Sequence, residues 1–169
     1  MPEDDLEKIV AIERLITIAY GYFSARMFDR VATACTKILL LDPANEFAED
    51  ILDFIQERDR EATALYEYVE THAEDPDLDS LWRELCRARG LYPNHPFDDH
   101  FGRRVEERMR RYRRAMNDGF WNVNRGAKRE ALEVFREAHN ANPSYPQLPS
   151  IVRDLEDDIY RGKPLPLGW

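Results

Sequence analysis

The chain has 169 residues, of which 43% are hydrophobic and 34% are charged, and its net charge is −9 at pH 7. This content suffices for one packed helical core and is too charged for a membrane protein. No apolar run approaches the ~20 residues that span a bilayer, and the start of the chain is acidic where a signal peptide is basic. We therefore expect a cytoplasmic protein without a membrane partner.

Charge is distributed unevenly along the chain. Residues 1–79 carry 20 acidic and 7 basic side chains, whereas residues 80–130 carry 13 basic and 7 acidic ones. Surfaces of opposite sign steer charged partners. The two cysteines, Cys35 and Cys86, form no C-x-x-C pair, so we expect small buried residues rather than a zinc or redox site.

Residues 12–45 are predicted to form the first of several helix pairs. The second helix of this pair stops at Asp42-Pro43, and the same pattern returns without a gap at residues 131–143. Upstream, Leu6, Ile9 and Val10 give the first helix a second apolar side, and such a helix packs against two neighbours. This flank is interpreted as a dimer contact or as internal packing, and the oligomeric state stays open.

Counting forward from Pro43 places a second pair at residues 46–78. Its two helices are expected to break near residues 58–61, with a single bent helix as the alternative, because neither Gly nor Pro marks the turn. A third, degenerate pair is placed at residues 79–111 and opens with the W-x-x-L spacing of Trp82 and Leu85. Apolar residues at three- and four-residue spacing then predict a long continuous helix.

That long helix is expected to lead into a fourth pair at residues 112–145. Gly119 lies where a close helix contact is expected and Gly126 where the turn is expected. A last helix at residues 149–161 has one polar face, as the end of an open helical stack requires. The Pro-rich tail, residues 163–169, carries Leu and Trp side chains and is expected to dock on the body or on a partner.

The first and fourth pairs, with their small contact residues and their Asp-Pro or Asn-Pro stops, resemble the tetratricopeptide repeat (TPR) family. The resemblance implies an all-α fold, a short right-handed α-solenoid of TPR-like helix pairs with a C-terminal capping helix, in a single domain over residues 1–162. It also implies a noncatalytic scaffold, adaptor or chaperone-like protein that binds a protein or peptide segment. Small size and acidity are shared with TPR-type chaperones of bacterial secretion systems.

The resemblance further implies that a partner lies in a concave groove lined by first-helix residues. A groove of this kind would run from aromatic through acidic and basic to apolar, which suits a segment with a few large anchors. The Lys and Asn residues of TPR clamps for C-terminal carboxylates are missing at these places. Alternatively, the aromatic members bury against one another. The candidate partner-binding residues are Tyr20, Phe23, Glu49, Asp53, Arg83, Arg87, Arg113, Met116 and Phe120.

A cluster of arginines in the long helix supports the alternative function, a nucleic-acid or nucleoprotein-binding module. Arginine contacts phosphates, and Tyr112, Phe120 and Trp121 are candidates for stacking on bases. The overall acidity opposes nonspecific binding of polyanions. An acidic protein partner and a plain solvated face are the other interpretations. The cluster consists of Arg103, Arg104, Arg108, Arg110, Arg111, Arg113 and Arg114.

Catalytic motifs are missing from the sequence. There is no Walker loop, no G-x-S-x-G and no H-E-x-x-H. The run from Asp75 to Asp79 resembles the start of a calcium loop but lacks its glycine and final glutamate, so helix capping is expected. His95, Asp98, Asp99 and His100 have donor types that suit a metal, yet capping and surface roles are favoured. We therefore expect no enzyme activity, no cofactor and no metal.

Overall fold

The structure is a computed structural model that describes the backbone of residues 3–161 and the side chains of residues 5–161. Over this range the chain is helical, which confirms the expected all-α fold, and no helix in it is long and apolar enough to cross a membrane. The predicted docking of the tail at 163–169 lies outside the described residues. The helices are α1 Glu3–Ser24, α2 Phe28–Leu41, α3 Glu46–Thr71, α4 Leu78–Leu91, α5 Asp98–Asn124, α6 Lys128–Ala141 and α7 Leu148–Arg161.

Three of the four 14-residue helices among the described residues begin at a constant spacing. Helices α2, α4 and α6 each contain 14 residues and begin at residues 28, 78 and 128, which are 50 residues apart. The helix boundaries therefore follow a 50-residue spacing, and not the shorter spacing on which the limits 46–78 and 79–111 were predicted. Their matching buried positions are Val31, Leu81 and Ala131, then Cys35, Leu85 and Phe135, then Ile38, Ala88 and Ala138.

The long helices α3 and α5 explain why the spacing exceeds that of a TPR pair. Helix α3 runs through residues 58–61 without a break, so the alternative of one helix is the one that forms. Helix α5 spans 27 residues, which confirms the predicted long helix. Cys35 is buried as expected, whereas Cys86 is exposed, contrary to the prediction.

The chain divides into two compact units. The N-terminal unit comprises residues up to 66 together with 86–98, and the C-terminal unit comprises residues 67–85 together with those from 99 onward. In the N-terminal unit, α1 packs along α2, and Phe23, Phe28, Phe54 and Tyr92 form an aromatic cluster with ring centroids 5.3–6.3 Å apart. The expectation of a single domain stays a prediction.

In the C-terminal unit, α5, α6 and α7 share one core around Phe135, Leu148 and Leu155. Gly119 lies against the Phe135 ring, and a Cβ at that position would approach the ring to 2.6 Å. The glycine therefore permits the close contact of α5 with α6 that its position in the sequence predicted.

The α1–α2 and α5–α6 turns have the same backbone conformation, 100 residues apart. Arg26 and Gly126 both have positive φ angles, 56° and 78°. The residue after each of them donates a backbone hydrogen bond of 2.9 Å to the carbonyl five residues earlier, Tyr22 or Asn122. This left-handed helix ending satisfies carbonyls at the helix terminus, and it favours glycine.

Candidate functional site

His95, one of the four candidate metal donors, belongs to a buried network of aromatic and polar side chains in the N-terminal unit. His95 is 5% exposed, and its ring stacks on Tyr66 with centroids 5.1 Å apart. Its Nδ1 accepts a hydrogen bond of 3.1 Å from the Phe97 backbone amide, so the proton is on Nε2, which donates to Asp59 Oδ1 at 3.1 Å. Both ring nitrogens are engaged within the protein.

Carboxylates and tyrosines complete this network. Asp98 accepts hydrogen bonds from Arg89 Nε at 2.7 Å and from the Tyr66 hydroxyl at 3.2 Å, while the Tyr92 hydroxyl donates to Asp29 at 2.6 Å. Burial, followed by the Asp98 carboxylate, raises the pKa of the Tyr66 phenol. Burial and the hydrogen bond to Asp29 likewise raise the pKa of Tyr92. The two phenols are therefore held in their neutral forms, and each donates to a carboxylate of the same network.

The structure does not assemble the four metal-donor candidates. His95 and Asp98 are used in packing, and Asp99 and His100 are exposed. Among the described residues, no three His, Cys, Asp or Glu side chains are grouped so as to hold a metal ion. In the calcium-like run, Asp77 Oδ1 accepts from the Ser80 amide at 3.0 Å, so Asp77 caps α4.

One arginine of the α5 cluster is structural, contrary to the interpretation of the whole cluster as a surface. Arg108 is 9% exposed. Its guanidinium donates to the carbonyls of Ala73 and Asp75, just beyond the end of α3, and to that of Ala141, the last residue of α6. It therefore satisfies carbonyls near two helix ends, where a cation is favoured.

The other arginines of the cluster are exposed, and most interact with neighbours in the C-terminal unit. Arg104 lies 3.6 Å from Glu70, Arg110 3.8 Å from Glu106 and Arg114 3.7 Å from Asp118. Such exposed pairs contribute about 0–1 kcal/mol each. They leave the guanidinium groups available to a partner at little cost.

A surface cleft of about 670 Å³ in the C-terminal unit brings three arginines together. We call it the Arg cleft. Arg108 lies in its wall, and exposed Arg111 and Arg114 follow at one-turn spacing along α5. Acidic side chains from three segments also line it, so the cleft displays both charges. Its lining residues are Glu74, Arg108, Arg111, Arg114, Ala115, Asp118, Glu137, Asn140 and Ala141.

The aromatic residues proposed for base stacking have different environments. Tyr112 is half-buried with its ring 5.7 Å from that of Tyr145, and Phe120 lies edge-on to Phe135 at 5.2 Å. Trp121 is 60% exposed, and the Arg125 guanidinium lies 4.2 Å from its ring centroid. Tyr112 thus packs against the core of the C-terminal unit, whereas Phe120 is 40% exposed and Trp121 is more exposed still.

The predicted groove residues of the N-terminal unit are of two kinds. Phe23 packs between Phe28 and Phe54, whereas Tyr20 is exposed with its ring 5.1 Å from Phe47. The remaining predicted groove residues of this unit have exposed side chains: Glu49, Asp53 and Arg87.

The predicted groove residues of the C-terminal unit also divide. Arg83 is exposed, and the Arg113 guanidinium lies 5.3 Å from the Trp82 ring centroid. Met116 packs against the core, and Phe120 is partly exposed beside Phe135. Sequence reasoning missed the Arg cleft, although Arg108 falls three residues after Val105 and four before Tyr112, inside the apolar stripe of α5.

No protein-family model matches the chain, and neither a curated protein nor a solved structure matches it.

Proposed function

We propose that this protein is a noncatalytic scaffold or adaptor that binds a segment of a partner protein. The observation that carries the proposal is that buried positions recur with the same apolar character along the chain, whereas the charge of the exposed helix faces changes. Buried positions stay apolar at 50-residue spacing, as in Val31, Leu81 and Ala131. The exposed faces of the long helices change instead from acidic in the first half of α3 to basic in α5. Modules of this kind keep the fold and vary the surface.

A TPR-like α-solenoid with α7 as its capping helix is part of this proposal. The helical pairing of α1 with α2 and of α6 with α7 supports it. The buried network around His95 supports a noncatalytic role, because its titratable groups are used in packing. A chaperone-like role and a cytoplasmic location stay predictions.

The Arg cleft is the surface that we assign to the partner. Arg111 and Arg114 offer planar donors for carboxylates. Glu74, Asp118 and Glu137 lie in the same cleft and would repel a continuous polyanion such as a nucleic-acid backbone. A protein segment with acidic side chains among basic or polar ones fits this mixed lining better. The burial of Arg108 also removes one arginine from the proposed nucleic-acid surface.

The test is affinity capture from native lysate with and without nuclease, using wild type and Arg111→Glu/Arg114→Glu. The matched control is Arg129→Glu/Arg153→Glu, since both arginines are exposed in the same unit and lie outside the cleft. We expect capture that resists nuclease, is lost in the cleft variant and is retained in the control. Thermal unfolding of each variant checks that the fold is preserved.

Other outcomes would decide against the proposal. Capture that disappears with nuclease would favour the nucleic-acid alternative. Equal capture by the cleft variant and the control would remove the Arg cleft as the binding surface.

A further inference from the structure

Residues 5–10, near the start of α1, are exposed on every side of the helix. Among these residues, Leu6, Ile9 and Val10 are 52%, 44% and 38% exposed. Three exposed apolar side chains close together on one helix leave apolar area in contact with water.

The segments of α3 and α5 that lie 50 and 100 residues further along the chain carry different residue types. Ile55 and Val105, 50 residues apart, are buried there, and the matching residue of α1 is the exposed Asp5. At the position of Leu6 these helices carry Gln56 and Glu106. At the position of Val10 they carry Arg60 and Arg110, whereas Ile9 matches the buried Met109. The recurring interior pattern therefore does not require Leu6 or Val10, and these two residues form a separate surface.

This surface contains a shallow groove of about 430 Å³ lined by Leu6, Glu7, Val10, Ala11 and Arg14. Residues three, four and seven positions apart lie on one face of a helix. Glu7 and Arg14 therefore flank the apolar pair of Val10 and Ala11, two turns apart on the same face. Val10 and Ala11 are small enough for another helix to approach closely.

The groove is complementary to itself. A second α1 packed antiparallel, about a twofold axis that passes between Val10 and Ala11, places Glu7 opposite Arg14 of the other copy and Arg14 opposite Glu7. Both charge pairs form at once because a twofold contact repeats each interaction. A parallel arrangement would place Glu7 beside Glu7 and Arg14 beside Arg14.

We propose that this face of α1 joins two copies of the chain in an antiparallel helix contact. The contact is independent of the Arg cleft, since its residues lie between Leu6 and Arg14 of α1 and the cleft is lined by residues of the C-terminal unit. Glu7 and Arg14 set its orientation, and Leu6 and Val10 supply its apolar area.

Charge reversal tests the proposal with the full chain in sedimentation experiments over a wide range of concentration. Glu7→Arg and Arg14→Glu each create two like-charge contacts per dimer and should raise the dimer dissociation constant about tenfold or more. The double variant Glu7→Arg/Arg14→Glu should restore the wild-type value. An equimolar mixture of the two single variants should form a heterodimer, because both of its contacts pair opposite charges.

Lys37→Glu and Glu57→Arg are the controls, since both residues are exposed in the N-terminal unit outside the groove. They should leave the dissociation constant unchanged. A wild-type chain that stays monomeric at every concentration would overturn the proposal and assign the face to another occupant. Single variants that dimerise as well as wild type, or a double variant no better than the singles, would overturn it too.

Discussion

Substitution of Arg108 by methionine tests the structural role of the buried guanidinium. The change keeps much of the side-chain length and removes the donors to Ala73, Asp75 and Ala141. Ala73 is buried, so its carbonyl cannot turn to water, whereas Asp75 is exposed and water can replace the guanidinium there. Hydrogen bonds to charged groups contribute about 1.5–3 kcal/mol each. Counting mainly Ala73 and Ala141, we expect a loss of about 3 kcal/mol in the free energy of unfolding.

Arg110→Met is the matched control on the same helix. The Arg110 side chain is 73% exposed and lies 3.8 Å from Glu106, so its loss should cost no more than about 0.5 kcal/mol. Urea denaturation measures both variants against wild type. Arg108→Lys should fall between them, because an ammonium keeps the charge without the planar fork. Equal stability of the Arg108→Met and Arg110→Met proteins would refute the reasoning.

Two further predictions concern packing and alkaline stability. Gly119→Ala should lose about 1–3 kcal/mol because its Cβ meets the Phe135 ring at 2.6 Å. Gly21→Ala, where an added Cβ meets nothing within 4 Å, should instead gain up to about 1 kcal/mol in the free energy of unfolding. Urea denaturation that shows both variants stabilised, or both destabilised, would contradict this. Burial, followed by Tyr145, raises the pKa of Tyr112 to about 12, so the folded state binds this proton more tightly than the unfolded chain. The resulting stability is complete below the unfolded pKa of about 10 and declines as the pH rises above it. Tyr112→Phe should therefore lose less stability between neutral pH and pH ~11, and an equal loss in wild type and variant would disprove the assignment.

The helical fold could be predicted from the sequence, and so could the correspondence between the segments at 31–43 and 131–143. The correspondence between residues 31–43 and 131–143 is real in the structure, since both segments cover the same part of a 14-residue helix. The intermediate copy was missed because a 33-residue count from Pro43 leads to Pro76, whereas a 50-residue count leads to Pro93. The 26 residues of α3 carry no internal stop signal that a shorter pair would need.

The functional surfaces were harder to predict, because identical residue types have opposite environments. Arg108 and Arg111 are three residues apart in one arginine-rich run, yet the first is buried and the second is exposed. Arg108 differs in donating to the carbonyls of Ala73, Asp75 and Ala141, which are distant in sequence. The same holds for His95, whose ring stacks on Tyr66 and donates to Asp59, and both partners lie in α3, far away in the sequence.

The left-handed residues of the two matching turns have a consequence for the order of folding. Gly126 adopts its positive φ angle without penalty, so the α5–α6 turn closes with local interactions alone. Arg26 adopts the same conformation at a steric cost, and its guanidinium donates to the Gly90 carbonyl, 64 residues away. Contacts between residues far apart in the chain form late, because a long loop must close first. We therefore expect the α5–α6 hairpin to form early and the α1–α2 turn to become fully stable only after the end of α4 has docked.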